Sequence, residues 1–235
     1  MPGRARPAAD AGLSRERMVA EALRIADREG VDGLSMRRLA AELGAGAMSL
    51  YHYVANKDAL LDAMIDVVFG EIELPPEDDD WQDAMRRRSR SARDVLARHP
   101  WAIALMESRT TPGPANLRHR EAVTACLRRA GFSVVTATHA NWLLDSYVYG
   151  FAVQMASLPF DGADELAGMT DDVYLPQIPA SEFPYLHESA AELLAAGYDP
   201  AQEFDVGLDL VLGALEQLRA TPGTQRSADR PGSPG

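Results

Sequence analysis

The sequence predicts an all-α protein. No segment shows a convincing alternation of apolar and polar residues, whereas successive segments repeat apolar residues at intervals of three and four, as amphipathic helices do. Many of these segments begin after Ser, Asn or Asp and end before Gly, which are the residues that cap and stop helices. With 235 residues, 46% of them hydrophobic, the chain can bury a substantial core in one large domain or in a small one and a larger one.

Composition excludes several classes of protein. No apolar run approaches the roughly 20 residues that span a bilayer. The first residues, MPGRARPAADAGLS, have positive charges but no apolar segment after them, so we expect no signal peptide and a cytoplasmic location. A single cysteine, Cys126, rules out an internal disulfide framework, fits a reducing compartment and is most simply a core residue.

Two short helices joined by a small-residue turn are predicted near the N-terminus. A helix from Ser14 to about residue 29 precedes them, and Gly30 ends it. Ser35 can then cap a helix that runs to Leu43, where Gly44 and a further glycine stop it. A second helix over residues 47–54 would last only about two turns. Helix, glycine turn and helix form the helix-turn-helix arrangement, whose second helix lies in the DNA major groove.

This stretch also resembles a known family. From Leu13 to Val68, and above all in LSMRRLAAELG and SLYHYVANKDALLDA, the chain resembles the DNA-binding region of TetR-type transcriptional regulators. The resemblance implies a three-helix DNA-binding head over residues 13–57. It also implies a larger helical domain over residues 58–220 that binds an effector and forms a homodimer.

Charge is divided unevenly between these two parts. Residues 1–57 carry 9 basic and 7 acidic side chains, a balance of +2, and residues 58–235 carry 14 and 28, a balance of −14. The net charge of −12 therefore belongs to the body, and DNA binding must depend on local contacts of the head. The one lysine of the chain, Lys57, follows Asn56, which can cap the next helix.

The body is predicted to consist of helices separated by Pro and Gly breaks. The segments expected to be helical are 56–73, 81–98 (capped by Asp80), a short one after Pro100, 116–130, 133–157, 182–196 and 200–218. The arginines of the 81–98 segment lie all round the helix, so we expect a solvated, salt-bridged surface rather than a second DNA-binding site. Residues 158–180 are interrupted by Pro and Gly and are expected to form a mobile loop, with a lid over a pocket as one alternative. Residues 1–12 and 221–235 are expected to be disordered tails, although Arg4 and Arg6 could also form a basic arm.

An apolar seam in the last predicted helix has two interpretations. Its members, at spacings of 4, 3, 4 and 3, are Phe204, Leu208, Val211, Leu215 and Leu218. The pattern alone favours an ordinary core-facing stripe. The resemblance favours a dimer interface, because TetR-type regulators dimerise through a bundle of their last helices and a symmetric pair suits two half-sites.

Candidate DNA contacts follow from the resemblance and from side-chain chemistry. Arg37 could donate to guanine O6 and N7, and Ala47, Met48 and Tyr51 could touch base edges or thymine methyls. Phosphates would be held by Ser35, Ser49, His52, Tyr53 and Lys57. Leu50 and Val54 are expected in the core.

The C-terminal part is similar to the tetracycline-repressor branch in the pieces WQDAM, AGFS and FDVGLDLVLGALEQL. The histidine that holds magnesium in that branch falls, along HPWAIALMESR, at Met106, and a thioether is a poor Mg²⁺ ligand. We therefore expect no metal, no cofactor and an effector other than tetracycline. The residues expected to line an effector pocket, each of which could equally be a core residue, are His99, Met106, Arg109, His139, Trp142 and Tyr147.

An enzyme is not expected. The five histidines form no metal-spaced cluster, and the chain has neither a phosphate-binding glycine loop nor a Gly-x-Ser-x-Gly elbow. The prediction is a ligand-responsive transcriptional regulator, a repressor that binds a palindromic operator and is released by a small apolar or aromatic effector. The alternative is a helical ligand-binding protein without specific DNA binding.

Overall fold

All regular structure in the computed structural model is helical, which confirms the all-α prediction within the described part of the chain. The model describes residues 13–78, 80–106, 108, 111–157, 175–197 and 199–220. The α-helices are α1 (Arg15–Glu29), α2 (Met36–Glu42), α3 (Ala47–Leu50), α4 (Lys57–Glu71), α5 (Trp81–Arg98), α6 (Ile103–Met106), α7 (Pro114–Arg129), α8 (Val134–Ala156), α9 (Pro184–Ala196) and α10 (Pro200–Ala220). Short 3₁₀ helices cover Val31–Gly33, Pro100–Ala102 and Leu175–Gln177. The predicted tails and residues 158–174 of the predicted lid lie outside the described residues.

The N-terminal helices begin where the sequence predicts. The hydroxyl of Ser14 accepts from the backbone N–H of residue 17 at 3.2 Å, and Ser35 accepts in the same way from residue 38 at 3.2 Å. The side-chain oxygen of Asn56 accepts from the backbone N–H of residue 59 at 2.8 Å. Each cap satisfies a donor that the first turn of a helix leaves without an internal partner.

The predicted second helix of the helix-turn-helix is too long. It ends at Leu50 rather than at Val54. After it the chain continues in turns, in which His52 N–H donates to Ser49 C=O and Tyr53 N–H to Leu50 C=O, both i to i−3 bonds. Gly46 opens the helix without a side-chain cap, and the element keeps one α-turn before it continues in tighter turns.

Contacts divide the chain into two compact units. One contains residues up to 74 together with 90–121, and the other contains 75–89 together with the residues from 122 onward. Helices α5 and α7 each contribute to both units. The predicted division after residue 57 stays a prediction. Helix α4, which begins at this residue, packs on α1 and is assigned to the same unit as α1.

The helix-turn-helix packs into the core of the first unit. The fully buried side chains of this core come from each of the helices α1 to α4 and include Met18, Ile25, Leu39, Leu50 and Leu60. The predicted core positions Leu50 and Val54 are therefore confirmed. This packing fixes α3 on the outside of the head.

In the second unit α8 packs along α10. Tyr147 donates its hydroxyl proton to the carbonyl of Phe204 at 2.8 Å, and Phe151 meets the Phe204 ring edge to face. A Cβ atom at Gly207 would overlap the Tyr147 ring, so glycine is needed for this close approach. Near the other end of the unit, Trp81 packs edge to face on Phe132.

The apolar seam of the last helix belongs mainly to the core of the chain itself. Phe204, Leu208 and Leu215 are buried, and Leu212, which the predicted seam lacks, is buried with them. The core-facing interpretation is therefore the correct one for this seam. A second stripe, with Val206 and Leu210, is exposed.

The sequence predicts that the arginines of α5 are solvated, and this is wrong for one of them. Arg88 is only 1% exposed and forms an ion pair with Asp145 of α8 at 2.5 Å. Arg86 meets the expectation better, since it pairs with Asp83 and Asp209 at 2.9 and 2.8 Å.

Among the described residues, no helix is both long and apolar enough to cross a membrane.

Candidate DNA-binding and effector sites

Most of the predicted DNA contacts are exposed on α2, on α3, in the turns after α3 and at the start of α4. Met48 is 78% exposed, although large apolar side chains are usually buried. Of the nine predicted contacts, Ala47 is half-buried and the others are exposed, namely Ser35, Arg37, Met48, Ser49, Tyr51, His52, Tyr53 and Lys57. The buried side chains of Leu50 and Val54 hold this surface from behind.

Two adjacent arginines at the start of α2 have different roles. Arg38 binds Glu29 at the end of α1 with both terminal nitrogens, one at 2.7 Å, and so supports the head. Glu29 also pairs with Arg28, and the pKa of Glu29 lies below its ordinary value because Arg28 and then Arg38 stabilise the carboxylate. Arg37 is exposed and forms no ion pair with the part of the chain that the structure describes. Its guanidinium is thus available for a partner outside the chain.

Tyr53 holds the start of α1 beside the turn that follows α3. Its hydroxyl donates to the carbonyl of Leu13 at 2.7 Å. The phenol therefore already has a partner for its proton, and a phosphate contact would have to compete with this bond. The sequence does not reveal this structural role of Tyr53, because its partner Leu13 lies 40 residues away.

A cluster of polar side chains joins α1 and α4 to the segment after α5. His99, 7% exposed, places Nδ1 at 2.7 Å from Asp27 of α1 and Nε2 at 3.3 Å from Glu71 of α4. Trp101 donates its indole N–H to the same Asp27 oxygen at 2.7 Å, and Arg98 donates to Glu71 at 2.8 Å. Burial raises the pKa of Glu71, but the hydrogen bonds from Arg98 and His99 outweigh it and hold the pKa below its ordinary value.

These contacts bear on the predicted role of His99 as an effector contact. Both ring nitrogens already face carboxylates, so a hydrogen bond from His99 to an effector would require one of these contacts to break. The sequence gives little sign of the cluster, because its residues come from positions 27, 71 and 98–101. Nothing in the local helix patterns brings them together.

A second polar contact anchors α4 to the start of α7. One carboxylate oxygen of Asp66 accepts from the backbone N–H groups of Ala115 and Asn116, at 2.8 and 3.0 Å. Asp66 thus caps α7 from another helix. A Cβ atom at Gly113 would overlap the Asp66 side chain, so only glycine fits there.

The first unit contains a cavity of about 500 Å³ beside this contact. Its walls come from α1, α4 and residues 111–114, with Val19, Leu23 and Ala63 among the apolar ones. Of the predicted effector residues, none of the five that the structure describes lines it. The effector pocket predicted around these residues stays a prediction.

The predicted effector residues fall in both units. His99 and the buried Met106 belong to the first, and His139, Trp142 and Tyr147 belong to the second, while Arg109 lies outside the described residues. His139 is exposed and Trp142 is 66% exposed on α8, whereas Tyr147 is half-buried against α10. Among the described residues no group of three or more His, Cys, Asp or Glu side chains is arranged to hold a metal ion.

Comparison with known families matches both halves of the chain. The model of bacterial regulatory proteins of the tetR family matches residues 19–64, and the model of the Tetracyclin repressor-like C-terminal domain matches residues 74–219. The chain belongs to the TetR family of bacterial transcriptional regulators.

Individual TetR-family proteins are similar along most of the chain. The transcriptional repressor DrrR1 of Streptomyces coeruleorubidus is 35% identical over 218 residues, covering 88% of this chain and 79% of the relative. The class C tetracycline repressor of Escherichia coli is 30% identical over 216 residues, covering 89% and 93%. The crystal structure of Streptomyces coelicolor ActR in complex with actinorhodin matches with a TM-score of 0.71 and 34% identity, covering 90% of this chain and all of ActR.

Family membership assigns the helix-turn-helix its function. The chain is a ligand-responsive, DNA-binding transcriptional regulator, and the exposed surface built on α2 and α3 lies in the part that the tetR-family model matches. The relatives are regulators of transcription rather than enzymes.

Proposed function

We propose that this regulator is a cytoplasmic repressor without enzymatic activity that binds an inverted-repeat operator as a homodimer and is released by an aromatic effector. The observation that carries the proposal is the exposed surface around α3, where Met48 and Arg37 project from a tightly packed head. Exposed apolar and cationic side chains on a helix-turn-helix suit base edges, thymine methyls and phosphates.

Within this surface the side chains divide by the part of DNA that they contact. Arg37 donates to a guanine, while Ala47, Met48 and Tyr51 contact neighbouring base edges and methyl groups. Phosphates are bound by Ser35, Ser49, His52, Tyr53 and Lys57, which set the register of the head. The exposure of Lys57 at the start of α4 supports this role, because its ammonium group faces solvent beside the cap residue Asn56.

Exposed apolar side chains on α8 and α10 support dimerisation through these helices. Val135, Trp142 and Val153 are exposed along α8, and Val206 and Leu210 are exposed along α10. Contiguous apolar surface is costly to leave in water and typically marks an interface. A second copy of the chain would cover it and present two heads to two half-sites.

The effector is proposed to be aromatic and to bind without a metal ion. ActR, which is 34% identical, binds actinorhodin in its crystal structure, and Tyr147 and Phe151 supply aromatic surface in the same domain here. Met106 occupies the position predicted for the magnesium-binding histidine of the tetracycline repressors, and its thioether does not suit Mg²⁺. The remaining proposed contacts are His99, Arg109, His139, Trp142 and Tyr147.

Selection from a random pool of double-stranded DNA tests the proposal, followed by a salt titration on the enriched site. We expect an inverted repeat whose affinity falls steeply as salt rises, because Lys and Arg contacts to phosphates release counterions. Actinorhodin, added to the complex, should displace the DNA. A folded, dimeric protein that enriches no sequence would contradict the proposal and favour a ligand-binding protein without specific DNA binding.

A further inference from the structure

The polar cluster around His99 contains two carboxylates, whereas a neutral imidazole can donate a hydrogen bond to only one. His99 faces Asp27 from α1 and Glu71 from α4, one at each ring nitrogen. An ionised carboxylate only accepts hydrogen bonds, and a neutral imidazole has a single N–H to donate. Both contacts can be hydrogen bonds at the same time only when both ring nitrogens carry protons.

Two further side chains donate to the same two carboxylates. Arg98 of α5 binds Glu71, and Trp101 of the following 3₁₀ helix binds Asp27. The charged groups that face His99 are therefore Asp27, Glu71 and, through Glu71, Arg98. One proton on His99 decides whether a charge-assisted bond or a lone pair faces one of the carboxylates.

The helices joined in this way are the two long helices that precede and follow the helix-turn-helix. Helix α1 supports the helix-turn-helix through the contact of Arg38 with Glu29, and α4 follows directly after α3 and its turns. The other partner, residues 98–101, leads into α6, which ends at the proposed effector residue Met106. The cluster thus links the orientation of the head to the segment nearest that effector residue.

We propose that Asp27, His99 and Glu71 are positioning residues for DNA binding and that the doubly protonated imidazole of His99 holds α1 and α4 in the orientation that fits the operator. This inference rests on the proposed function, in which the ligand-free protein binds DNA. Loss of one ring proton leaves a lone pair against a carboxylate and loosens the head. Operator affinity therefore falls when the pH is raised far enough to remove that proton.

The test compares operator affinity between pH 6.0 and 8.5 for the full chain and for His99→Gln. Gln at this position carries no charge at any pH. His52 and the other histidines are present in both proteins, so their effect cancels in the ratio of the two affinities at each pH. We expect wild-type affinity to fall about tenfold more than that of His99→Gln, the value of one charge-assisted hydrogen bond.

Two further variants separate positioning from simple loss of folding. Asp27→Asn and Glu71→Gln keep the size of the side chain and can still accept from Trp101 or Arg98. We expect each to flatten the pH profile as His99→Gln does, with unchanged helix content by circular dichroism. Parallel profiles for wild type and all three variants would overturn the inference while leaving the proposed DNA binding intact.

A measurement without DNA keeps the inference testable if no operator is bound. Nitrogen-15 NMR of ¹⁵N-histidine-labelled protein, with His99→Gln to assign the signal, reports directly on the two ring nitrogens. We expect both to be protonated at pH 6.0, as the contacts of the ring with two carboxylates require. A neutral His99 ring at pH 6.0 would overturn the inference, whereas failure of the wild type to bind any operator would overturn the proposed function.

Discussion

Arg37 and Lys57 are exposed on the same head, but they are expected to act on different parts of the DNA. We predict that Arg37→Ala weakens binding to the selected operator by about 10- to 100-fold and relaxes preference at one base position, since a bidentate contact to guanine contributes roughly 1–3 kcal/mol. Lys57→Ala should weaken binding to all sequences alike and lower the slope of log affinity against log salt by about one per substituted side chain.

Binding of both variants to the operator and to single-base variants of it, at several salt concentrations, checks this division. The two proteins serve as controls for each other, because each removes one cation from an exposed position of the same unit. Equal losses on every sequence would contradict it.

Asp66 offers a prediction about stability rather than recognition. Because its carboxylate caps two N–H groups at the start of α7, Asp66→Ala should lower the free energy of unfolding by about 0.5–2 kcal/mol. Asp66→Asn is the matched control, since its amide oxygen can still accept both bonds. Urea unfolding of the three proteins provides the measurement, and equal stability of Asp66→Ala and wild type would show that the cap contributes nothing.

At the scale of residues, the sequence predicts what is decided locally. The caps at Ser14, Ser35 and Asn56 each depend on three or four consecutive residues, and all three are present. The burial of Arg88 was not predictable, because its partner Asp145 lies 57 residues away. The same holds for the bond of Asp27 with His99, over 72 residues.

At the scale of elements, α10 has two apolar faces with different roles. One face, with Leu212, is buried against the rest of its unit, and the other exposes Leu210 by 72%. We predict that Leu210→Glu yields a folded monomer, because a charge on the exposed face opposes pairing with a second copy. It should also reduce operator affinity, since a single head contacts one half-site.

Analytical ultracentrifugation of Leu210→Glu checks its mass, and circular dichroism checks its folding. Leu117→Glu is the control, since Leu117 is a similarly exposed leucine on α7, at 54%. If both variants remain dimers, the proposed interface is wrong.

The helix pattern in the sequence predicted most elements but misjudged this face. Periodicity identifies an apolar stripe and cannot say whether the same chain or another chain covers it. The seam with Phe204 and Leu208 is covered by α8 of the same chain, and the exposed stripe is less regular because Gly213 and Ala214 interrupt it. Helix α3 was overestimated because Leu50 and Val54 are spaced by four, as in a helix, although residues 51–53 between them form turns.

At the scale of the whole molecule, operator geometry should reflect two linked heads. We predict that five base pairs inserted between the half-sites, about half a turn of DNA, reduce affinity to that of a single half-site. The same insertion outside the inverted repeat is the control. Unchanged affinity after the central insertion would mean that the two heads bind independently.

The distribution of charge limits how such a molecule finds its site. With a balance of −14 beyond residue 57, the body repels DNA at long range, and attraction is confined to the head. The sequence alone predicts this division, because it requires only counting. Long-range electrostatic attraction to DNA is therefore weak, and selectivity depends on short-range contacts around α3.

The position of Trp142 allows dimerisation to be followed by the intrinsic fluorescence of the protein. Of its three tryptophans, Trp81 and Trp101 are buried, while Trp142 is 66% exposed on the face of α8 proposed to meet a second copy. Emission from an indole shifts to shorter wavelength when water is removed from around it. Dilution of the unlabelled protein should thus shift its fluorescence to the red as dimers separate, and the midpoint gives the dissociation constant of the dimer.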